Sequence, residues 1–306
     1  MQTTLKSAVS FAGIGLHGGQ PVSISVLPAE AGQGIVFRRT DVLSDDPIVP
    51  ARWDRVSVSP LKTQIANGDG VSVSTIEHLM AALAGTGVHN ATVLIDGPEV
   101  PVMDGSALEF ARGLIAAGRQ QVSDTLIALR ILETVEVSDG AASARLSPSS
   151  GFQIEFSIEF PDRAIGRQYR LIDLANGNFL HELASCRTFC RLSDVEEMHA
   201  SGLALGGTLD NAVVFDDDRV LTRGGLRFAD EAVRHKMLDV LGDLATAGIP
   251  IIGRYTGIRA GHAVTNRLLR KLFATPRAFR LVQADRALME RLPGAGVASA
   301  DLDAVA

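Results

Sequence analysis

His235 and Asp239 stand four residues apart in the run from Ala232 to Leu244. The run reads as a helix, because Val233, Met237, Val240, Leu241 and Leu244 fall on one apolar stripe. Residues four apart lie one turn above the other, so an imidazole and a carboxylate are aimed at one point. A divalent metal wants that pair, and zinc accepts both ligand types. The same two side chains could instead hydrogen-bond on a solvated face, so a metal site needs a third ligand from elsewhere. The run from Ser74 to Gly85 offers one in His78, preceded by Glu77. Both fall in the first turn of a helix that Ser74 would cap and Gly85 or Gly87 would stop. Catalytic zinc sites use three protein ligands and keep a fourth position for water. A carboxylate beside a ligand His is well placed to take a proton from that water. Ser74 and Glu77 also spell the capping box S-x-x-E, which alone would explain the Glu. Spacing by itself leaves both readings open.

The elements that would carry these residues come in a repeated order. Val22–Leu27 alternates as a half-buried strand, and Gly34–Arg38 and Val71–Val73 are further strand candidates. A helix at Thr75–Ala84, a strand at Ala91–Ile95 and a helix at Ala107–Ala117 follow. The second half has strands at Leu129–Val137, Ala144–Leu146 and Phe152–Phe160, the last with clean alternation. It then has a helix over Asp230–Ala247, a strand at Ile249–Thr256 and a helix at His262–Phe273. The expected fold is therefore α+β with two similar domains. The first spans 1–122, the second 123–290, and a small, acidic flexible tail covers 291–306.

The chain has 306 residues, enough for two domains of ordinary size. Apolar residues make up 46% and charged residues 21%, which is globular usage. There is no run of 18 uncharged apolar residues and no apolar segment at the start, so a cytoplasmic protein without a transmembrane segment is expected. A net charge of −6 argues against a nucleic-acid partner, while leaving room for an anionic nucleotide at local cations. Cys186 and Cys190 are the only cysteines and do not make a disulfide framework. The P-loop, H-E-x-x-H and G-x-S-x-G signatures are absent from the sequence.

The two helical runs resemble the signature helices of the bacterial UDP-3-O-acyl-N-acetylglucosamine deacetylases, the zinc amidases of lipid A synthesis. So do the segments Gly13 to Gly19, Asp96 to Ser106, Arg187 to Phe189, Gly206-Gly207, Gly224 to Phe228 and Gly261 to Asn266, in the same order. The resemblance runs from about residue 3 to about residue 275. It implies helices sandwiched between two sheets, with one metal-bearing helix from each half. It implies Zn2+ held by His78, His235 and Asp239, with Glu77 as general base. His262 matches the family's second acid/base residue and Asp243 an acid that holds it charged. Thr188 matches a hydroxyl beside the reacting carbonyl, and Lys236 a contact to the substrate's polar head. An apolar acyl passage is expected around 195–209, with Phe189, Leu203, Gly206 and Gly207 at the substrate. The expected substrate is a UDP-linked acylated glucosamine, with no oligomer required.

The chain departs from the family pattern at Asp162-Arg163, where a His-Pro pair is usual. It departs again at Cys190-Arg191, where a second aromatic is common, and at Ala141-Ala142, where a Lys is expected nearby. The reading from sequence is hydrolysis of the N-acetyl group of UDP-3-O-acyl-N-acetylglucosamine. The rival is a silent paralogue that binds an acylated sugar nucleotide without turning it over. Retention of Glu77 and His262 speaks against that rival, since a binder needs neither an acid nor a base.

Overall fold

The structure, a computed structural model, describes residues 1–302 apart from 58 and 60. Alternation builds the first sheet: in Pro21–Pro28, Val22, Ile24 and Val26 are buried while Ser23 faces out. Among the described residues, its strands run in the order Val9–Ile14, Pro21–Pro28, Ala91–Ile95, Ile35–Arg39 and Ile48–Pro50. All neighbours are antiparallel except Ala91–Ile95 with Ile35–Arg39. Helix α1 (Glu77–Gly85) precedes Ala91–Ile95, and α2 (Leu108–Ala117) follows it.

The second half repeats this path. A hairpin of Val135–Asp139 and Ala142–Ser147 lies antiparallel to Ile251–Ile258. Ile251–Ile258 is parallel to Phe152–Glu159, which pairs antiparallel with Arg167–Asp173. Before Ile251–Ile258 come helix α3 (Leu192–Ala200), in an insertion, and α4 (Glu231–Ala245), which takes the place of α1. Helix α5 (His262–Phe273) follows, as α2 does in the first half. Ile127–Ile131 and Phe279–Gln283 widen this sheet. α2 packs on Val9–Ile14, α5 on the Val135–Ser147 hairpin, and α1 on α4. The helices are thus sandwiched between the sheets, as expected.

Each half also carries an insertion that reaches the helix interface. The first is a small sheet of Val56–Ser57, Gln64–Ala66 and Ser72–Ser74. The second is Phe189–Arg191, Val213–Asp216 and Arg219–Val220, with α3 inside it. Two expectations need correcting. The strand read over Leu129–Val137 is two strands of one sheet, Ile127–Ile131 and Val135–Asp139, with other strands between them. The tail expected as flexible from 291 is packed over its first part. Leu292 and Val297 are buried, and Arg119 donates to the carbonyls of Gly294 and Val297. Residues 303–306 of that expected tail lie outside the described residues.

α1 and α4 cross with almost no space between them. A Cβ at Gly242 would overlap the carbonyl group of Glu77. An isolated helix would prefer Ala to Gly in mid-helix by about 1 kcal/mol. Here the crossing reverses that sign, because overpacking costs roughly 1–3 kcal/mol. Gly242→Ala is therefore expected to lower the melting temperature by several degrees and to displace Glu77, cutting turnover. Thermal melts and a turnover assay check this; a more stable variant would show that the helices need no such closeness.

Candidate active site

The start of α1 is set by a strained turn. Thr75 has φ +57°, unusual for a β-branched residue. Its hydroxyl donates to Glu99 Oε1 at 2.8 Å, which holds the turn in place. The Glu99 carboxylate also accepts the backbone N–H groups of His17 (2.9 Å) and Gly18 (2.7 Å). The capping box does not form. Ser74 sits in a strand, Ile76 occupies the N-cap, and no side chain caps the helix. Glu77 instead turns its Oε2 to the backbone N–H of Thr63, at 3.0 Å.

His78, from the first half, meets His235 and Asp239 of α4. Their candidate ligand atoms all lie within 4.8 Å of one another, and all three side chains are buried. Asp239 Oδ1 is 3.3 Å from His235 Nε2 and 3.7 Å from His78 Nε2. His235 Nδ1 is 3.0 Å from the carbonyl of Cys186. A carbonyl only accepts, so the proton sits on Nδ1 and Nε2 keeps its lone pair. Burial pushes the His235 pKa down to about 4, which keeps the ring neutral. Burial opposes the Asp239 charge, but His235, Lys236 and His78 outweigh it and hold its pKa well below the ordinary carboxylate value. Lys236 Nζ lies 2.7 Å from Asp239 Oδ2.

A second group of charges stands beside the first. His262 heads α5 and points Nδ1 at Asp243, 2.9 Å from Oδ2. The hydroxyl of Thr63 donates to the other Asp243 oxygen at 2.5 Å. Burial would lower the His262 pKa, but Asp243 with Glu77 and Asp239 raises it to about 9. The ring is therefore cationic at neutral pH. A cation at a helix N-terminus is disfavoured by the helix dipole, and the Asp243 carboxylate offsets this. Its Nε2 is 4.0 Å from Glu77 Oε1 and 3.9 Å from Asp239 Oδ2. Burial raises the Glu77 pKa, with the nearby imidazoles working against it.

These groups open onto a cavity of about 510 Å³. Thr188, Phe189, Leu203 and Lys236 line it with Glu77, His78, His235, Asp239 and His262. Asp243 lies behind His262. Gly206 and Gly207, expected along the acyl passage, are not among the lining residues. They pack on the Gly15–Gly19 turn: the Gly206 N–H donates to the Leu16 carbonyl, and a Cβ at Gly206 would overlap the Gly15 carbonyl. The insertion does border the cavity, through Asp194, Glu197 and Met198 of α3 and through Leu203. The departures from the family pattern meet here too. Arg191 donates from Nε to Asp162 and from Nη1 to Asp194.

Sequence reasoning missed several residues. Thr63 holds both Glu77 and Asp243, yet no motif surrounds it. Phe160 lines the cavity and meets Phe189 edge to face at 5.5 Å, and only its place at a strand end hinted at this. His17, within the Gly13 to Gly19 segment, is buried with Nδ1 accepting from the Ala204 N–H at 3.3 Å.

Two imidazoles and one carboxylate gathered in this way could hold a metal ion. An ionisable carboxyl and a cationic imidazole beside it make a hydrolase-type site. Residues 2–274 match the LpxC family model, UDP-3-O-acyl N-acetylglycosamine deacetylase. A UDP-3-O-acyl-N-acetylglucosamine deacetylase of Phenylobacterium zucineum is 48% identical, covering 92% of this chain and 96% of its own. Enzymes of that name from Shewanella woodyi and Pasteurella multocida are each 42% identical. Each match covers 93% of this chain, and 94% and 93% of those proteins respectively. The chain belongs to this deacetylase family.

The Asp243–His262 pair fixes a pH dependence. The folded pKa of His262, about 9, lies above the ordinary imidazole value, so folding favours the protonated ring. Its stabilising share is fully present below about pH 6.5 and is lost as pH rises through the folded value. Asp243→Asn removes the main partner, so this loss is expected at lower pH in the variant. Melting temperatures measured from pH 6 to 10 in both proteins check the shift; superimposable curves would uncouple the pair.

Proposed function

We propose that this chain is a zinc hydrolase removing acetate from the 2-amino group of UDP-3-O-acyl-N-acetylglucosamine. The products are UDP-3-O-acyl-glucosamine and acetate, an early committed step of lipid A biosynthesis. One observation carries the reading. His78 of one half meets His235 and Asp239 of the other beside Glu77 and His262, in a chain 42–48% identical to relatives named for this reaction. The donor set suits zinc, with two imidazole nitrogens and one carboxylate oxygen. When bound, the ion supplies a Lewis acid for the amide carbonyl and for water.

The chain's own residues do the rest. Glu77 keeps Oε2 on the Thr63 N–H and leaves Oε1 toward the cavity, and its raised pKa makes it a better base. It takes a proton from the attacking water as the C–O bond forms. His262, charged and anchored on Asp243, faces the same space with Nε2–H and protonates the amine as the C–N bond breaks. Thr188 stands at the cavity wall to hydrogen-bond the carbonyl region. Lys236, tethered to Asp239, keeps two further N–H donors for the polar head of the substrate. The apolar wall at Phe189, Met198 and Leu203 receives the acyl chain. The reaction belongs in the cytoplasm and needs neither nucleic acid nor a second subunit. Among the described residues, no helix is long and apolar enough to cross a membrane.

Acetate release is expected to stop on treatment with a chelator and to return with zinc. Saturable substrate binding with no acetate release in the zinc-loaded protein would instead support a silent binder. Glu77→Gln is expected to retain zinc and substrate binding yet lose about 10²-fold or more in kcat, the scale of a lost general base. Metal analysis alongside single-turnover rates tests this, and near-normal turnover would return Glu77 to a structural role.

The acyl chain gives a separate test. Each buried methylene contributes about 0.8 kcal/mol, so a bulky side chain intruding on its path is costly. Leu203→Trp should raise KM for a long-chain substrate while sparing a short-chain analogue. Equal effects on the two would move the acyl path to another wall.

A further inference from the structure

Three segments picked out in the sequence have no part in the chemistry above: Asp104 to Ser106, Arg187, and Gly224 to Arg227. The fold brings them together around Glu231, the first residue of α4. Glu231 Oε1 accepts the backbone N–H of Arg187 at 3.0 Å and its Nε at 2.9 Å. Oε2 accepts Arg187 Nη2 at 3.1 Å and the backbone N–H of Arg227 at 2.7 Å. Arg187 Nη2 also reaches the Gly225 carbonyl at 2.7 Å. The pair is shut away from water, with 7% of the Arg187 side chain and 1% of the Glu231 side chain exposed. Arg227 extends the network. Its Nη1 lies 2.8 Å from Asp104, a residue of the first half, and 2.8 Å from the Ser185 carbonyl.

The segment held this way is bracketed by the first half. The Ala107 N–H donates to the Ala184 carbonyl at 3.0 Å, and the Thr188 N–H to the Gly105 carbonyl at 2.7 Å. Between these two points lies Cys186, whose carbonyl is 3.0 Å from His235 Nδ1. Glu231 and His235 are themselves one helical turn apart on α4. One carboxylate therefore fixes the carbonyl and the helix on which the imidazole rides.

We propose that Arg187 and Glu231 are positioning residues of the metal centre. They hold the Cys186 carbonyl against His235, and so set which ring nitrogen of His235 carries the proton and where its bare nitrogen points. The inference rests on the metal reading for its consequence, but its first readout needs no metal. A buried ion pair with so many satisfied N–H groups contributes little net stability against an apolar pair. Its worth here is geometric, as with other groups that orient a metal-ligating His.

The test uses the full chain, stripped of metal and labelled with 15N at the His rings. In the wild type, His235, assigned by its loss in His235→Gln, should show the Nδ1–H tautomer. In Glu231→Gln and Arg187→Lys the signal should shift toward a tautomer mixture. Zinc affinity, measured by competition with a coloured chelator, should fall by about 10–100-fold, the usual scale for such partners. Leu129→Ala, in the buried second sheet, serves as a control for general loss of stability; it should melt lower but keep both tautomer and affinity. Folded variants that retain the Nδ1–H tautomer and wild-type zinc affinity would overturn the proposal. So would an Nε2–H tautomer in the wild type, which decides the matter even if neither variant folds. If the wild type shows the tautomer but binds no zinc, the metal reading fails and the positioning stands.

Discussion

The contact between Gly242 of α4 and the Glu77 carbonyl of α1 is the constraint on which the site depends. A cluster of His78, His235 and Asp239 drawn from two halves needs their backbones close together, and a Cβ at this crossing would part them. Glu77 and His78 open α1, while Asp239 and Asp243 flank Gly242 on α4. The crossing therefore sets the distance between the imidazole of one half and the carboxylates of the other. The repeated strand path explains how such a crossing arises. Each half puts a helix in the same place, just before its central strand, and the two helices meet face to face.

Closeness gathers charge, and the charges divide into two partnered sets. Asp239 faces two imidazoles with one oxygen and Lys236 with the other. Asp243 faces His262 and Thr63. Glu77 stands between them with one oxygen on a backbone N–H. Burial alone would neutralise all of these groups. Partners overrule it at Asp239, which is kept ionised, and at His262, which is kept charged, while burial prevails at His235, which stays neutral. One desolvated pocket thus contains a lone-pair donor and a proton donor of the same residue type, separated by their neighbours.

Much of this was legible in the sequence because it depends on short spacings. The i, i+4 rule put His235 and Asp239 on one face of a helix, and period-two alternation marked strands over Phe152–Phe160 and Val22–Leu27, which fold as Phe152–Glu159 and Pro21–Pro28. Contacts between distant segments were not legible. Ser74 followed by Glu77 reads as a cap, but tertiary pairing pulled Ser74 into a strand and gave the carboxylate to Thr63. Gly206-Gly207 reads as space for a ligand. At Gly206 the space is filled by the Gly15–Gly19 turn, and at Gly207 the nearest atom is the Ala204 carbonyl oxygen, neither of which a local pattern could reveal. Gly242 carried a faint signal, a glycine in a strong helix, whose meaning depends on what crosses it.

The two insertions divide the remaining work unequally. The first supplies Thr63, which bonds to both Glu77 and Asp243, so a change there reaches both carboxylates. The second supplies α3, in which no residue is buried, and its links to the body include the Arg191 bonds to Asp162 and Asp194. An element with so little buried surface opens at low free energy and can change without disturbing a core. The sequence departures at Asp162 and Arg191 form one such link, and the donors of the metal group are untouched by it. The insertion thus borders the cavity through α3 while α1 and α4, which are largely buried, hold His78, His235 and Asp239 together.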